Sequence, residues 1–180
     1  MAVYNTPSDA ANTAVRAFLT SVGEHYLGRS FNTGSGRGKD IWKQIQASFN
    51  ETCAYCGTAS KLQIEHLIMF NRSEYGLHHP GNIVPVCKYC NERQKDGKKN
   101  YISWEAQLAL KCDGSSSELF KQRRQKILNH IEQYKYPTLT EQERHAIRVI
   151  AESLYENIKN ESEKSLSMYR KLDEAFVKTE

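Results

Sequence analysis

Two Cys-x-x-Cys pairs, Cys53/Cys56 and Cys87/Cys90, enclose a Glu65-His66 dipeptide and a Gly81-Asn82 turn, and Asn91 follows the last cysteine directly. Thiolates at this spacing suit zinc. Each pair offers two sulfurs from one turn, and two pairs close a tetrahedron with no position left for water, which is the structural kind of zinc site. The alternatives are disulfides or redox pairs. No secretory signal is visible in the N-terminal MAVYNTPSDA, and no βαβ pattern surrounds either pair, so both are disfavoured. The residues between the pairs suit chemistry. Glu65 and His66 are neighbours, so on a strand they point to opposite faces. A carboxylate that binds a cation and an imidazole that activates water need that separation. The amide oxygen of Asn91 suits a hard cation such as Mg²⁺, which keeps open positions for phosphate and water.

The elements that must position these groups are short. Leu62 to Ile68 reads as a strand, and Ile83 to Val86 as a second one that Pro85 confines to a sheet edge. Lys88 to Asp96, stopped by Gly97, suits a short helix that begins at the second cysteine pair. The order is strand, long loop, strand, helix, with zinc fastening the helix to the strands.

At these residues the chain resembles the HNH endonucleases, also called ββα-metal or His-Me finger nucleases. Glu65-His66 matches the acidic residue and histidine at the end of the family's first strand, Asn82 its loop asparagine, and Asn91 the helix position after Cys-x-x-Cys. The resemblance covers residues 40–100. It implies that His66 is the general base, that Glu65 and Asn91 hold one catalytic Mg²⁺ or Mn²⁺, and that Asn82 constrains the loop and orients the histidine ring. It further implies cleavage of DNA to 5′-phosphate and 3′-hydroxyl ends. Glu65 stands where aspartate is commoner, and Gln94 where the family often has lysine. The composition around HLIMFNRSEYGLHHPGNIVPVC looks restriction-type, so restriction or phage defence is the expected role. Homing-type or phage nicking enzymes follow behind, and a zinc finger that only binds nucleic acid or protein is the alternative of another class.

The whole chain of 180 residues has a formal net charge of +4, with −2 on residues 151–180 and +6 on the rest. That modest basic field is compatible with phosphate binding. Arg93, Lys95, Lys98 and Lys99 flank the candidate site, and Arg37 and Lys39 lie in the Gly-rich stretch 28–40; all six are candidate DNA contacts. Lys121, Arg123, Arg124 and Lys126 form a further basic cluster. His78 and His79 read as solvated loop histidines. Cys112 is left over as a buried small residue, and its free thiol suits a reducing, cytoplasmic setting. No apolar run long enough for a membrane span occurs.

Helical spacing over residues 8–27, with Ser8 as cap, predicts an N-terminal helix packed on the core around the cysteines. Ile41, Trp42, Ile45 and Phe49 form one helix face. Ser103 to Cys112 and Ser117 to Tyr134 read as two more helices. Thr140 with Glu143 makes a capping box, followed by apolar residues to Phe176 as one helix or a hairpin. The expected fold class is α+β: a ββα-metal finger core at 41–112, stapled by four cysteines. A helix and Gly-rich basic loop at 1–40 precede it, and a helical region at 113–180 follows. That last region could pack on the core, form a homodimer or dock a partner protein. Cutting both strands of double-stranded DNA would favour a dimer.

Overall fold

The computed structural model describes residues 6–176. Its first helix, α1 (Pro7–Leu27), starts with proline at a position where a helix has no use for an amide hydrogen. Thr6 is the cap, and its hydroxyl accepts from Asp9 N at 3.2 Å. Ser8, the expected cap, lies inside the helix, because Pro7 already holds a helical φ. The buried face of α1, Ala11, Val15 and Leu19, does not pack on the core around the cysteines. It meets Ile147, Ala151 and Tyr155 near the other end of the chain, together with Leu77 from the central loop.

The helix α2 (Gly36–Ser48) begins within the Gly-rich stretch, so only residues 28–35 are loop. Gly38 is needed there: a Cβ would lie 2.3 Å from the Asn32 carbonyl oxygen. Ile41, Ile45 and Phe49 are buried in a second cluster with Val84, Val86, Leu108 and Ile127.

The strands β1 (Leu62–His66) and β2 (Ile83–Cys87) form an antiparallel pair, with Leu62 opposite Cys87 and His66 opposite Ile83. β1 ends at His66 rather than Ile68, because Ile68 N turns to the Asn82 side chain. Both strands are edges, which is how Pro85 is accommodated. α3 (Lys88–Asn91) is a single turn. It was expected to run to Asp96, but Glu92 leaves the helical region with ψ 85° and the chain carries Arg93 back to β1.

Ser103 and Ser117 cap α4 (Trp104–Lys111) and α5 (Glu118–Gln133) by accepting from Ala106 N and Phe120 N, each at 3.1 Å. α6 (Glu141–Phe176) is one continuous helix of 36 residues. Its capping box is formed: Thr140 Oγ1 accepts from Glu143 N at 3.2 Å, and Glu143 Oε2 accepts from Thr140 N at 2.7 Å. Beyond Ile158 it is largely exposed, including Leu166, Met168, Tyr169 and Leu172. The architecture is α+β, mostly helical around one small sheet. Among the described residues, no helix is long and apolar enough to cross a membrane.

Candidate functional site

The cysteines come together as their spacing implies. The four Sγ atoms of Cys53, Cys56, Cys87 and Cys90 lie within 4.8 Å of one another. Zinc–sulfur bonds of ~2.3 Å at tetrahedral angles separate sulfurs by roughly 3.8 Å, and Cys56 Sγ and Cys87 Sγ are 3.7 Å apart. This donor set fits a tetrahedral ion such as zinc. The first pair sits in a tight turn, with Gly57 N donating to Cys53 O at 2.8 Å and Cys56 N reaching Cys53 Sγ at 3.5 Å. Burial opposes ionisation of Cys56, but hydrogen bonds from Thr58 and the neighbouring sulfurs outweigh it and bring its pKa down to about 6. Burial pushes Cys53 and Cys90 up. Cys112 stays outside the cluster, buried against Tyr55 O.

On β1 the faces alternate as expected. Glu65 is buried, and its Oε1 accepts from both Nε and Nη2 of Arg93. The same guanidinium donates to His66 O at 2.8 Å and Leu67 O at 3.0 Å. Burial raises the Glu65 pKa, and the guanidinium offsets part of the rise. Arg93, grouped above with the DNA-contacting cations, is therefore an interior residue whose side chain is 1% exposed. Asn91 lies near the surface and donates through Nδ2 to Gln63 Oε1 at 2.9 Å. Glu65 and Asn91 thus do not stand as an open carboxylate–amide pair. A dication at Glu65 would also face the Arg93 guanidinium, and like charges that close repel strongly at reduced dielectric. The residues present do not fit a cation there in this arrangement.

His66, on the other face, has a different neighbourhood. Its Nε2 is 3.0 Å from His78 Nδ1, and Phe70 stacks on its ring at 4.7 Å. Burial, then the charges of His78, Arg16 and Arg93, depress its pKa to about 3, so the ring is neutral. Its Nδ1 makes no hydrogen bond among the described residues. The fully buried, unpartnered side-chain polar atoms among the described residues are Tyr55 Oη and His130 Nδ1, so His66 Nδ1 is not one of them, although the ring as a whole is deeply buried.

Asn82 stitches the loop. Its Oδ1 accepts from Ile68 N at 2.8 Å, and its Nδ2 donates to Ile68 O and Leu77 O, each at 2.9 Å. It acts on the backbone on both sides of the histidine pair and makes no hydrogen bond to the His66 ring. His78 and His79, read as solvated, are both buried to a large degree. His79 Nδ1 accepts from Gly81 N at 3.1 Å, and burial, then His78, lowers its pKa to about 4. On α5, His130 Nε2 bridges Pro80 O and Ile83 O at 3.0 and 2.9 Å, anchoring the turn into β2.

Lys95, Lys98, Lys99, Arg37 and Lys39 are exposed. The α5 cations are engaged within the chain: Arg123 donates to Tyr55 O, Arg124 pairs with Glu105, Lys121 with Glu118, and Lys126 lies over the Phe49 ring. Sequence reasoning missed His78 and the Arg93–Glu65 pairing, since both depend on residues 12 and 28 positions away. It also missed Arg16, an exposed α1 residue whose charge acts on His66. Comparisons of the chain with protein families, with curated proteins and with solved structures found no match.

Proposed function

We propose that this protein is a DNA endonuclease of the HNH type, with zinc as a structural ion at the four cysteines. The observation that carries this reading is His66: an imidazole at the end of β1, with Nε2 held by His78 and Nδ1 without a hydrogen-bond partner among the described residues. A general base must be unprotonated at working pH and works best with a pKa near that pH, so the buried His66 serves this role only when DNA binding brings its pKa back up. His66 Nδ1 takes a proton from water while the water oxygen bonds to phosphorus and the P–O3′ bond breaks. The base returns its proton to solvent, and the leaving oxygen is protonated by solvent. Exposed Arg16, Arg37, Lys39, Lys95, Lys98 and Lys99 supply cations for the DNA backbone. Restriction or phage defence is the biological role that suits such an activity. Because Arg93 occupies Glu65, no step is routed through Mg²⁺ or Mn²⁺.

One observation favours a second reading. Neutralisation of Glu65 by Arg93 is what a zinc-stapled module that binds nucleic acid without cutting it would show. The deciding experiment is cleavage of supercoiled and linear DNA with and without Mg²⁺ or Mn²⁺, comparing wild type with His66→Ala at equal zinc content. Metal-dependent cleavage that the variant loses supports the nuclease with its cation. Cleavage without added metal supports the histidine and removes the cation. No cleavage on modified, unmodified or single-stranded DNA favours the binding module.

A further inference from the structure

The loop histidine His78 has no role in the family resemblance, yet it is held as firmly as a core residue. The Leu77 peptide before it is pinned at both ends: Asn82 Nδ2 donates to Leu77 O at 2.9 Å, and Leu77 N donates to Tyr136 Oη at 3.2 Å. From the other side α1 presses on its main chain. A Cβ on Gly23 would lie 2.4 Å from His78 O, so the helix backbone reaches residue 78 only because position 23 is glycine. Phe31 packs on the His78 ring at 5.0 Å, and Phe70 lies 5.6 Å from it. Three separate elements thus aim one nitrogen, Nδ1, at His66 Nε2 over 3.0 Å.

Two neutral imidazoles joined by one N–H···N bond have two possible tautomers. If His78 Nδ1 donates, His66 must carry its own proton on Nδ1, and that nitrogen has no lone pair to offer. If His66 Nε2 donates, His66 Nδ1 is a free base. We propose that His78 is the positioning residue of His66, accepting its Nε2 proton and so holding the base in the tautomer whose Nδ1 carries the free lone pair. Only this sense leaves His66 with a lone pair able to take a proton, so the base role requires it. The choice of tautomer rests on the nuclease reading; the contact between the two rings does not.

Two measurements test it. Long-range ¹H–¹⁵N correlation on histidine-labelled wild type reads the protonated nitrogen of each ring directly. His66 protonated on Nε2, with His78 Nδ1 unprotonated, is expected; His66 protonated on Nδ1 overturns the proposal whether or not the protein cuts DNA. The second compares His78→Asn, which keeps an acceptor, with His78→Leu, which has none. Losing a group that orients a functional histidine typically costs 10–100-fold. For His78→Leu we expect a fall in kcat on the order of 10–100-fold with KM unchanged, and for His78→Asn recovery to within roughly 5-fold of wild type. Unchanged kcat in His78→Leu, or equal loss in both variants at normal zinc content, overturns the positioning role. A wild type that cuts nothing refutes the nuclease reading alone, since the tautomer measurement still decides the proposal.

Discussion

Replacing Arg93 by methionine keeps the bulk of the stem and deletes the guanidinium from beneath β1. Glu65 is then a buried carboxyl without its partner, and the His66 and Leu67 carbonyls lose their donor. The charge part of the cost has a ceiling, because the carboxyl can take up a proton instead. That uptake costs about 1.4 kcal/mol per pH unit above its ordinary pKa of ~4.3. The ceiling is therefore ~3.7 kcal/mol at pH 7 and ~1 kcal/mol at pH 5. The two carbonyls add about 1 kcal/mol if solvent reaches one of them on relaxation. The expected destabilisation is about 4 kcal/mol at pH 7, within the range for breaking a buried ion pair. It should shrink to about 2 kcal/mol at pH 5. The assay is urea unfolding followed by circular dichroism with zinc present. At a slope of roughly 2 kcal/mol per molar, the midpoint moves down by ~2 M at pH 7 and ~1 M at pH 5. Adding Glu65→Gln to Arg93→Met removes the charge and should restore about 2 kcal/mol at pH 7. A loss under ~1 kcal/mol, or one equal at both pH values, would refute the reasoning, because Glu65 would then be solvated or neutralised by something other than Arg93.

Other measurements probe the remaining features. One zinc per chain should be found by atomic absorption, and either chelation or Cys56→Ser should cost on the order of 5 kcal/mol or more, read as loss of cooperative unfolding. The pKa of His79 is about 4 in the fold and ~6.5 in the unfolded chain. Between those values the unfolded state binds a proton that the native state refuses, so stability is full above about pH 6.5 and falls as pH drops. The contribution of this one group approaches 3 kcal/mol by about pH 4, and a His79→Gln variant should show a correspondingly flatter stability profile. Ending the chain after Asn160 removes the largely exposed part of α6 and should change unfolding free energy by no more than about 0.5 kcal/mol; a loss above ~1.5 kcal/mol would mean that this part packs on the body.

What could be read from the sequence was what local chemistry decides. Thr140 with Glu143 forms the capping box that its spacing predicts, and Ser103 and Ser117 cap the helices they begin, each with a partner three residues away; the cap expected at Ser8 is instead Thr6. The cysteine cluster was legible because a metal-ligating spacing carries its own geometry. Glu65-His66 fell on the first strand and Asn82 in the turn before the second, as their flanking residues indicated. What was illegible depended on distant partners. α3 stops at Asn91 because Arg93 must reach Glu65, and no residue near Asn91 announces that. His78 looks like a loop residue until α1 and Phe31 cover it. α1 is amphipathic, but amphipathicity names a face and not the surface that covers it. That it covers α6 was not readable from either helix alone.

The pairing of α1 with α6 also bears on how the chain is made. α1 leaves the ribosome well before α6, the helix that completes its packing. At translation rates of ~5–20 residues per second, more than a hundred residues separate them, a delay on the order of ten seconds. Through that interval Ala11, Val15 and Leu19 have no apolar cover from Ile147, Ala151 and Tyr155. The cysteine cluster needs only residues up to Cys90, so the metal-bound hairpin can close while α1 still waits. Nascent chains of this protein should therefore acquire zinc before they acquire their N-terminal packing, and α1 is the segment that a chaperone would hold.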